Sequence, residues 1–262
     1  MRNPILTFVH ISDTHIPSES MKQQIEFGNP YVQAEALVQQ INALPIEPDF
    51  VLHSGDVAYS YDSDDYKTCA EIFNEIKYPI YYVAGNDDNI IALQNTLVKQ
   101  GKPIIPFHYE FDVNGVQIVV VDSNGAVDPP AGLISKDQLE WLSKLCVADD
   151  TRPLVIATHH NPQLGGFPWL DHFTGIQNTE AFHEAILPAR KRLRGVFFGH
   201  VHQNLDIYRD GILYCSTLSS WKQFHAWRDQ AETIPDLDDG PGFSVITIYQ
   251  GQTLIRRHRF SP

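Results

Sequence analysis

Five short apolar runs, each broken off by polar residues of one chemical kind, constrain this chain more than any other feature. Residues 5–11 run into Ser12-Asp13-Thr14-His15, and residues 50–52 into His53-Ser54-Gly55-Asp56. Residues 80–83 are followed by Ala84-Gly85-Asn86-Asp87, residues 154–157 by Thr158-His159-His160, and residues 196–198 by Gly199-His200-Val201-His202. Runs this short, rich in Val, Ile and aromatics and bounded by turn residues, read as buried strands. Between them, segments 31–44, 64–77, 90–98, 135–146 and 178–187 space their apolar residues at a helical period. Ser135 and Gln138 form a capping-box pattern ahead of the fourth. Strand–helix alternation predicts an α/β core with parallel strands. Asn114-Gly115 and Asp210-Gly211 signal type I′ hairpins, and Gln250-Gly251 a third turn. Antiparallel strands therefore join the parallel ones, and two mixed sheets packed face to face with helices outside are expected.

The 262 residues suffice for one domain with a sizeable core, and 43% of them are hydrophobic. No repeat, low-complexity tract or linker divides the chain, so residues 1–262 read as a single domain. A net charge of −13 disfavours nucleic acid and anionic membrane as partners. Arg190, Lys191, Arg192 and Arg194, and Arg256, Arg257 and Arg259, read as solvated faces. Cys69, Cys146 and Cys215 are scattered and odd in number, which argues for buried thiols rather than a disulfide framework or a thiolate metal site. No stretch approaches the roughly 20 apolar residues of a spanning helix. A cytoplasmic protein is expected.

Polar residues beyond the ends of parallel strands are where α/β folds place their chemistry. Here these are Asp13, His15, Asp56, Asn86, Asp87, His159, His160, His200 and His202: oxygen and imidazole ligands, none of them sulfur. Asp13 and His15, like His200 and His202, are two apart and would point the same way from an extended segment. Gly55 and Gly85 would let the backbone turn sharply beside a ligand. Any one of these has an ordinary reading, since a histidine at a strand end is usually a satisfied polar residue and Gly-Asp is usually a turn. Five strand ends delivering such residues together point to metal. Seven ligands exceed the four of a tetrahedral zinc site and suit two metals sharing one carboxylate.

The order Asp13-x-His15, Gly55-Asp56, Gly85-Asn86, His159, Gly199-His200-x-His202 resembles that of the calcineurin-like metallophosphoesterases over about residues 8–217. Thr158 to Pro162, Gly199 to Gln203 and Ser216-Thr217 resemble the branch of class III cyclic-nucleotide phosphodiesterases and related glycerophosphodiesterases. The resemblance implies a four-layer α/β/β/α sandwich. It implies a first metal on Asp13, His15 and His202, a second on Asn86, His159 and His200, and Asp56 bridging both. Mn, Fe or Zn suits such ligands. The implied activity is hydrolysis of small phosphodiesters, cyclic nucleotides among them, by attack of a metal-bridging hydroxide on phosphorus, with Asn86 helping to hold the phosphoryl oxygens. A phosphomonoesterase or protein phosphatase of the same superfamily is the alternative. A non-catalytic protein-binding scaffold is a further one, which the intact ligand set opposes. Homodimers are frequent in the family.

One position departs. Where the family has a histidine after Gly-Asn, this chain has Asp87. Beside two cations its carboxyl should stay ionised, repelling phosphate and donating no proton. The leaving group then relies on metals or solvent, or on another histidine. His160 and His172 are nearest, the first reading equally well as packing behind the metals and the second as an exposed loop residue. A diester, with less negative charge than a monoester, would suit Asp87 better. Three irregular stretches, 123–134, 161–177 and 219–242, are long enough to carry function. Gly165-Gly166 would let the second move at the substrate's edge. The third holds Trp221, Phe224, His225 and Trp227. It reads as a cap over the site, or as a dimer contact or satellite core, which surface aromatics favour.

Overall fold

The strands and helices alternate as the apolar pattern requires. The computed structural model describes residues 3–21, 28–99 and 101–261. Chain order begins β1 (Leu6–Ile11), α1 (Pro30–Asn42), β2 (Phe50–His53), α2 (Ser63–Phe73), β3 (Ile80–Tyr82) and α3 (Ile90–Leu93). It continues with β4 (Tyr109–Val113), β5 (Val116–Val120), α4 (Lys136–Val147), β6 (Leu154–Ala157), α5 (Pro168–Phe173) and α6 (Thr179–Ile186). Then follow β7 (Leu193–Phe198), β8 (Asp206–Arg209), β9 (Ile212–Ser216), a short pair β10 (Gln223–Phe224) and β11 (Pro235–Asp236), β12 (Gly242–Tyr249) and β13 (Gln252–Arg259).

Two mixed sheets result. One runs β13-β12-β1-β2-β3 and the other β4-β5-β6-β7-β9-β8. The central strands β1, β2 and β3 are mutually parallel, as are β5, β6, β7 and β9. Successive residues of a strand face opposite sides, and here both sides are buried. Phe8, Phe50 and Leu52 point inward and meet Val116, Ile118, Val120, Val155 and Phe197 of the second sheet in a shared cluster. The Phe8 and Phe50 rings stack at 5.0 Å, and Phe197 meets Phe8 edge-on at 5.3 Å. Val9, Ile11 and Val51 point outward against Leu37, Ile41, Tyr66 and Ile72 of α1 and α2. Val119, Ile156 and Val196 do the same against Leu142, Phe182 and Ile186 of α4 and α6. The architecture is the expected α/β/β/α sandwich. Truncating Phe8 or Phe197 to alanine would cost about 3–5 kcal/mol.

Local signals hold in most places. Asn29 caps α1 by accepting from the backbone N–H groups of Tyr31 and Val32, with Pro30 at the first turn. Asn114-Gly115 and Asp210-Gly211 each join antiparallel strands through two residues of positive φ. Three local expectations need correction. Ser135 Oγ caps α4 by accepting from Gln138 N, but the Gln138 amide, instead of bonding back to the Ser135 N–H, clamps the backbone of Asp122 from both sides while its Nε2 also donates to Ser135 Oγ at 3.4 Å. Segment 90–98 is one α-helical turn that widens into a π-type turn over Gln94–Val98. Arg192 is not solvated: it is buried, and its guanidinium donates to Gln117 Oε1 and to the carbonyls of Leu145 and Arg152. The three cysteines are buried and free. Among the described residues no helix is long and apolar enough to cross a membrane.

Candidate metal centre

The carboxyl ends of the parallel strands in both sheets meet at one edge of the sandwich. β1 delivers Asp13 and His15, β2 Asp56, β3 Asn86 and Asp87, β6 His159 and His160, and β7 His200 and His202. The extended geometry expected for the two i, i+2 pairs is not what forms. Asp13, His15, Asp56, His200 and His202 all have left-handed backbones, with φ between 43° and 68°. The chain curls at each strand end instead of continuing the pleat, and tertiary bonds hold the curls. Asp13 N–H donates to Gly55 O at 3.0 Å, and His15 N–H to Asp56 O at 3.1 Å. His200 N–H donates to the Asp13 carboxylate at 2.9 Å. Left-handed non-glycine residues cost of order 1–3 kcal/mol each and persist where their surroundings over-determine them.

Gly85 also works differently from the expectation. Its φ is not in the left-handed region; its place is set by close approach, since a Cβ there would collide with the Asp56 carboxylate and backbone nitrogen. Gly55, at φ 105°, combines both demands, and its Cβ would strike the His159 ring. Asp88 ties the two turns together. Its buried carboxylate accepts from the backbone of Gly85 and Val57 at 2.9 and 3.0 Å and from the Tyr66 hydroxyl at 3.0 Å.

The side chains converge in two groups. His202 Nε2 lies 3.4 Å from Asp13 Oδ1 and 3.3 Å from His15 Nε2. His159 Nε2 lies 3.1 Å from Asn86 Oδ1, 3.2 Å from His200 Nδ1 and 3.4 Å from Asp56 Oδ2. Asp56 Oδ2 is also 3.8 Å from His15 Nε2, so this carboxylate stands between the groups. Ligands about 2.1 Å from one ion sit about 3.0–3.4 Å apart in octahedral or tetrahedral geometry. The separations within each group therefore fit one ion position apiece, and Asp56, 3.4 Å from His159 and 3.8 Å from His15, lies between the two.

Outer partners fix the ring orientations. His159 Nδ1 donates to Ser54 O at 2.8 Å and His202 Nδ1 to Lys222 O at 2.7 Å. A carbonyl only accepts, so in both rings Nδ1 carries a proton and Nε2 is turned into the cluster. Burial, opposed by Asp56, lowers His15 to about 4, and burial together with His159 lowers His200 to about 3. Burial also pushes His159 down, but Asp56 outweighs it and raises that ring to about 10.

A cavity of about 460 Å³ opens over these groups. His15, Asp56, Asn86, Asp87, His200 and His202 form its floor, and Tyr59, Pro130, Trp169, Thr174, Trp221, Lys222, Phe224 and Thr233 its walls. Segment 219–242 therefore reaches the site. Ser219 Oγ donates to Asp13 O at 2.7 Å, and the Trp221 ring packs on His15 at 5.1 Å. Trp169 stands on α5 and Phe224 on β10, while Lys222 and the other wall residues come from irregular segments.

Asp87 lies in the floor, its carboxylate 3.7 Å from His15 Nδ1 and its N–H donating to Asp56 Oδ1 at 2.8 Å. Burial, then the Asp56 charge, push its carboxyl up to about 6 in the protein alone, and cations beside it would act in the other direction. His160 does not reach the cavity. It is fully buried behind His159 and His200, with Nδ1 2.7 Å from Ser123 Oγ. His172 is exposed as expected, but on the short helix α5 rather than in a loop.

A profile of the calcineurin-like phosphoesterases matches residues 6–204. The chain is 26% identical over 247 residues to the 3',5'-cyclic adenosine monophosphate phosphodiesterase CpdA of Vibrio vulnificus, covering 93% of this chain and 86% of that protein. It is 24% identical over 250 residues to the 3',5'-cyclic-nucleotide phosphodiesterase alr5338 of Nostoc, covering 95% and 90%. Among solved structures, a dimetal phosphatase from Danio rerio superposes with a TM-score of 0.71 at 13% identity, covering 98% of this chain and 97% of the other. Calcineurin-like phosphoesterases use a dinuclear metal centre, and this chain presents metal-capable histidine and aspartate groups. The chain belongs to the calcineurin-like phosphoesterase family.

Proposed function

We propose that this protein is a dinuclear-metal-dependent phosphodiesterase acting on small phosphodiesters, with cyclic nucleotides the first substrates to test. The observation that carries the reading is the convergence of Asp13, His15 and His202, and of Asn86, His159 and His200, on the shared carboxylate of Asp56 at the floor of the cavity. Asp13, His15 and His202 would hold one ion, Asn86, His159 and His200 the other, and Asp56 both. Two such cations would activate water and offset charge developing on the phosphoryl oxygens. Ser54 and Lys222 carbonyls keep the imidazoles aimed. Asn86 Nδ2 donates to Asp87 Oδ1 at 3.1 Å, which holds the Asn86 oxygen toward His159. Segment 219–242 acts as a cap whose aromatics bound the substrate.

Asp87 supports a diester over a monoester, because a second negative charge on the substrate would meet a carboxylate already in the floor. The names of the relatives support cyclic nucleotides within that class. Hydrolysis of bis-p-nitrophenyl phosphate, p-nitrophenyl phosphate, cyclic nucleotides and glycerophosphodiesters, each with added Mn²⁺, tests the reading. Diesters should be turned over faster than monoesters. Faster turnover of the monoester would replace the proposal with a phosphomonoesterase.

A further inference from the structure

The cavity floor carries Asp56 and Asp87, yet a phosphodiester is itself an anion. Among the described residues that line the cavity, Lys222 is the one lysine or arginine. Its ammonium sits 4.0 Å over the Trp221 ring and 5.3 Å from the Phe224 ring. That seat holds a cation without neutralising it. Asp87 acts on the ammonium through space, and among the described residues no carboxylate lies within ion-pair distance of its Nζ. The backbone is fixed independently of the side chain, since Lys222 O accepts from His202 Nδ1. Trp221 O accepts from Gln33 Nε2 at 3.2 Å, and Gln223 clamps both sides of the Ser219 backbone. The ammonium is thus held at the wall by a braced segment and partly removed from water, where attraction to an anion is stronger than in bulk solvent.

We infer that Lys222 is a substrate-binding residue: its ammonium donates to a non-bridging oxygen of the phosphoryl group and offsets the repulsion from Asp87. No other described side chain lining the cavity brings a permanent positive charge to this task. His15, His200 and His202 aim their rings at the ion positions, and His160 is sealed behind them. The inference rests on the phosphoester reading above, and it assigns the alkyl-ammonium a binding role that requires no change in its protonation.

The test uses Mn²⁺-loaded wild type, Lys222→Met and Lys222→Arg. Calorimetry measures binding of inorganic phosphate, and steady-state kinetics use bis-p-nitrophenyl phosphate. Lys222→Met should weaken phosphate about tenfold and raise KM with little change in kcat, as expected for an interaction made equally in the ground and transition states. Lys222→Arg should stay within about threefold of wild type. Manganese content and Tm should match in all three, because the carbonyl that orients His202 is retained. Unchanged phosphate affinity and KM in Lys222→Met would overturn the proposal. So would equal losses in both variants, which would assign the effect to the stem rather than the charge. Wild type that binds phosphate but hydrolyses no diester would defeat the functional reading alone, since the binding comparison stands without turnover.

Discussion

The floor and the wall of the cavity are built on different principles. The floor residues follow the ends of parallel strands, and hydrogen bonds tie the turns that carry them: Asp13 to Gly55 and His200, His15 to Asp56, Asp87 to Asp56. The wall hangs on a two-residue strand pair and on the bonds of Ser219, Ser220 and Gln33. Trp227 and Leu237 of the same segment are 70% and 80% exposed. The floor therefore resists change in place, and the wall is free to vary the substrate. Strain sharpens the contrast. The floor concentrates left-handed residues that include three histidines, whereas in 219–242 Asp229 alone among the described non-glycine residues has positive φ.

If that division is right, disruption of the floor should abolish activity and disruption of the wall should retune it. Asp56→Asn removes the carboxylate between the two groups. It should lower kcat/KM for bis-p-nitrophenyl phosphate about a thousandfold or more, about 4 kcal/mol of transition-state stabilisation, and reduce bound manganese. Retained manganese and activity would remove Asp56 from its central role. Gly85→Ala forces a Cβ into Asp56. Overpacking of this kind costs about 1–3 kcal/mol, read as a lower Tm in thermal unfolding, with activity falling alongside. An unaltered Tm would show that the floor can yield.

On the wall, Phe224→Ala removes a ring that packs on His202 at 4.9 Å and lines the cavity. KM for cyclic nucleotides should rise about tenfold, the scale of one lost base–aromatic contact, while KM for bis-p-nitrophenyl phosphate changes less. Equal effects on both would mean that Phe224 supports His202 rather than the base. The smallest effect is expected from Asp87→His, which should raise monoesterase activity relative to diesterase activity by a few fold. A ratio that is unchanged or lower would contradict the charge account of this position.

The same contrast explains what was legible in the sequence. The floor could be read because every candidate ligand follows an apolar run, and buried runs bounded by turn residues are conspicuous. The sandwich followed from the same runs together with Asn114-Gly115 and Asp210-Gly211. The left-handed curls were not legible: spacing of two at Asp13 and His15 looks like a pleat, and only bonds from Gly55 and Asp56, remote in sequence, bend it. The wall was legible only as the irregular stretches 123–134, 161–177 and 219–242, not as the residues of them that meet. Tyr59, Pro130, Trp169, Thr174, Lys222 and Thr233 meet through tertiary packing of segments that have no period. Lys222 in particular looks like any surface lysine until the fold places it over Trp221.

Metal content measured together with activity tests the central claim most directly. Purified protein loaded with Mn²⁺ and freed of excess ion should hold two manganese ions per chain, lose diester hydrolysis on chelation and regain it when Mn²⁺ is restored. Asp56→Asn, prepared in parallel, should hold fewer than two and stay inactive. Wild type that retains no metal, or that hydrolyses diesters undiminished after chelation, would contradict the account.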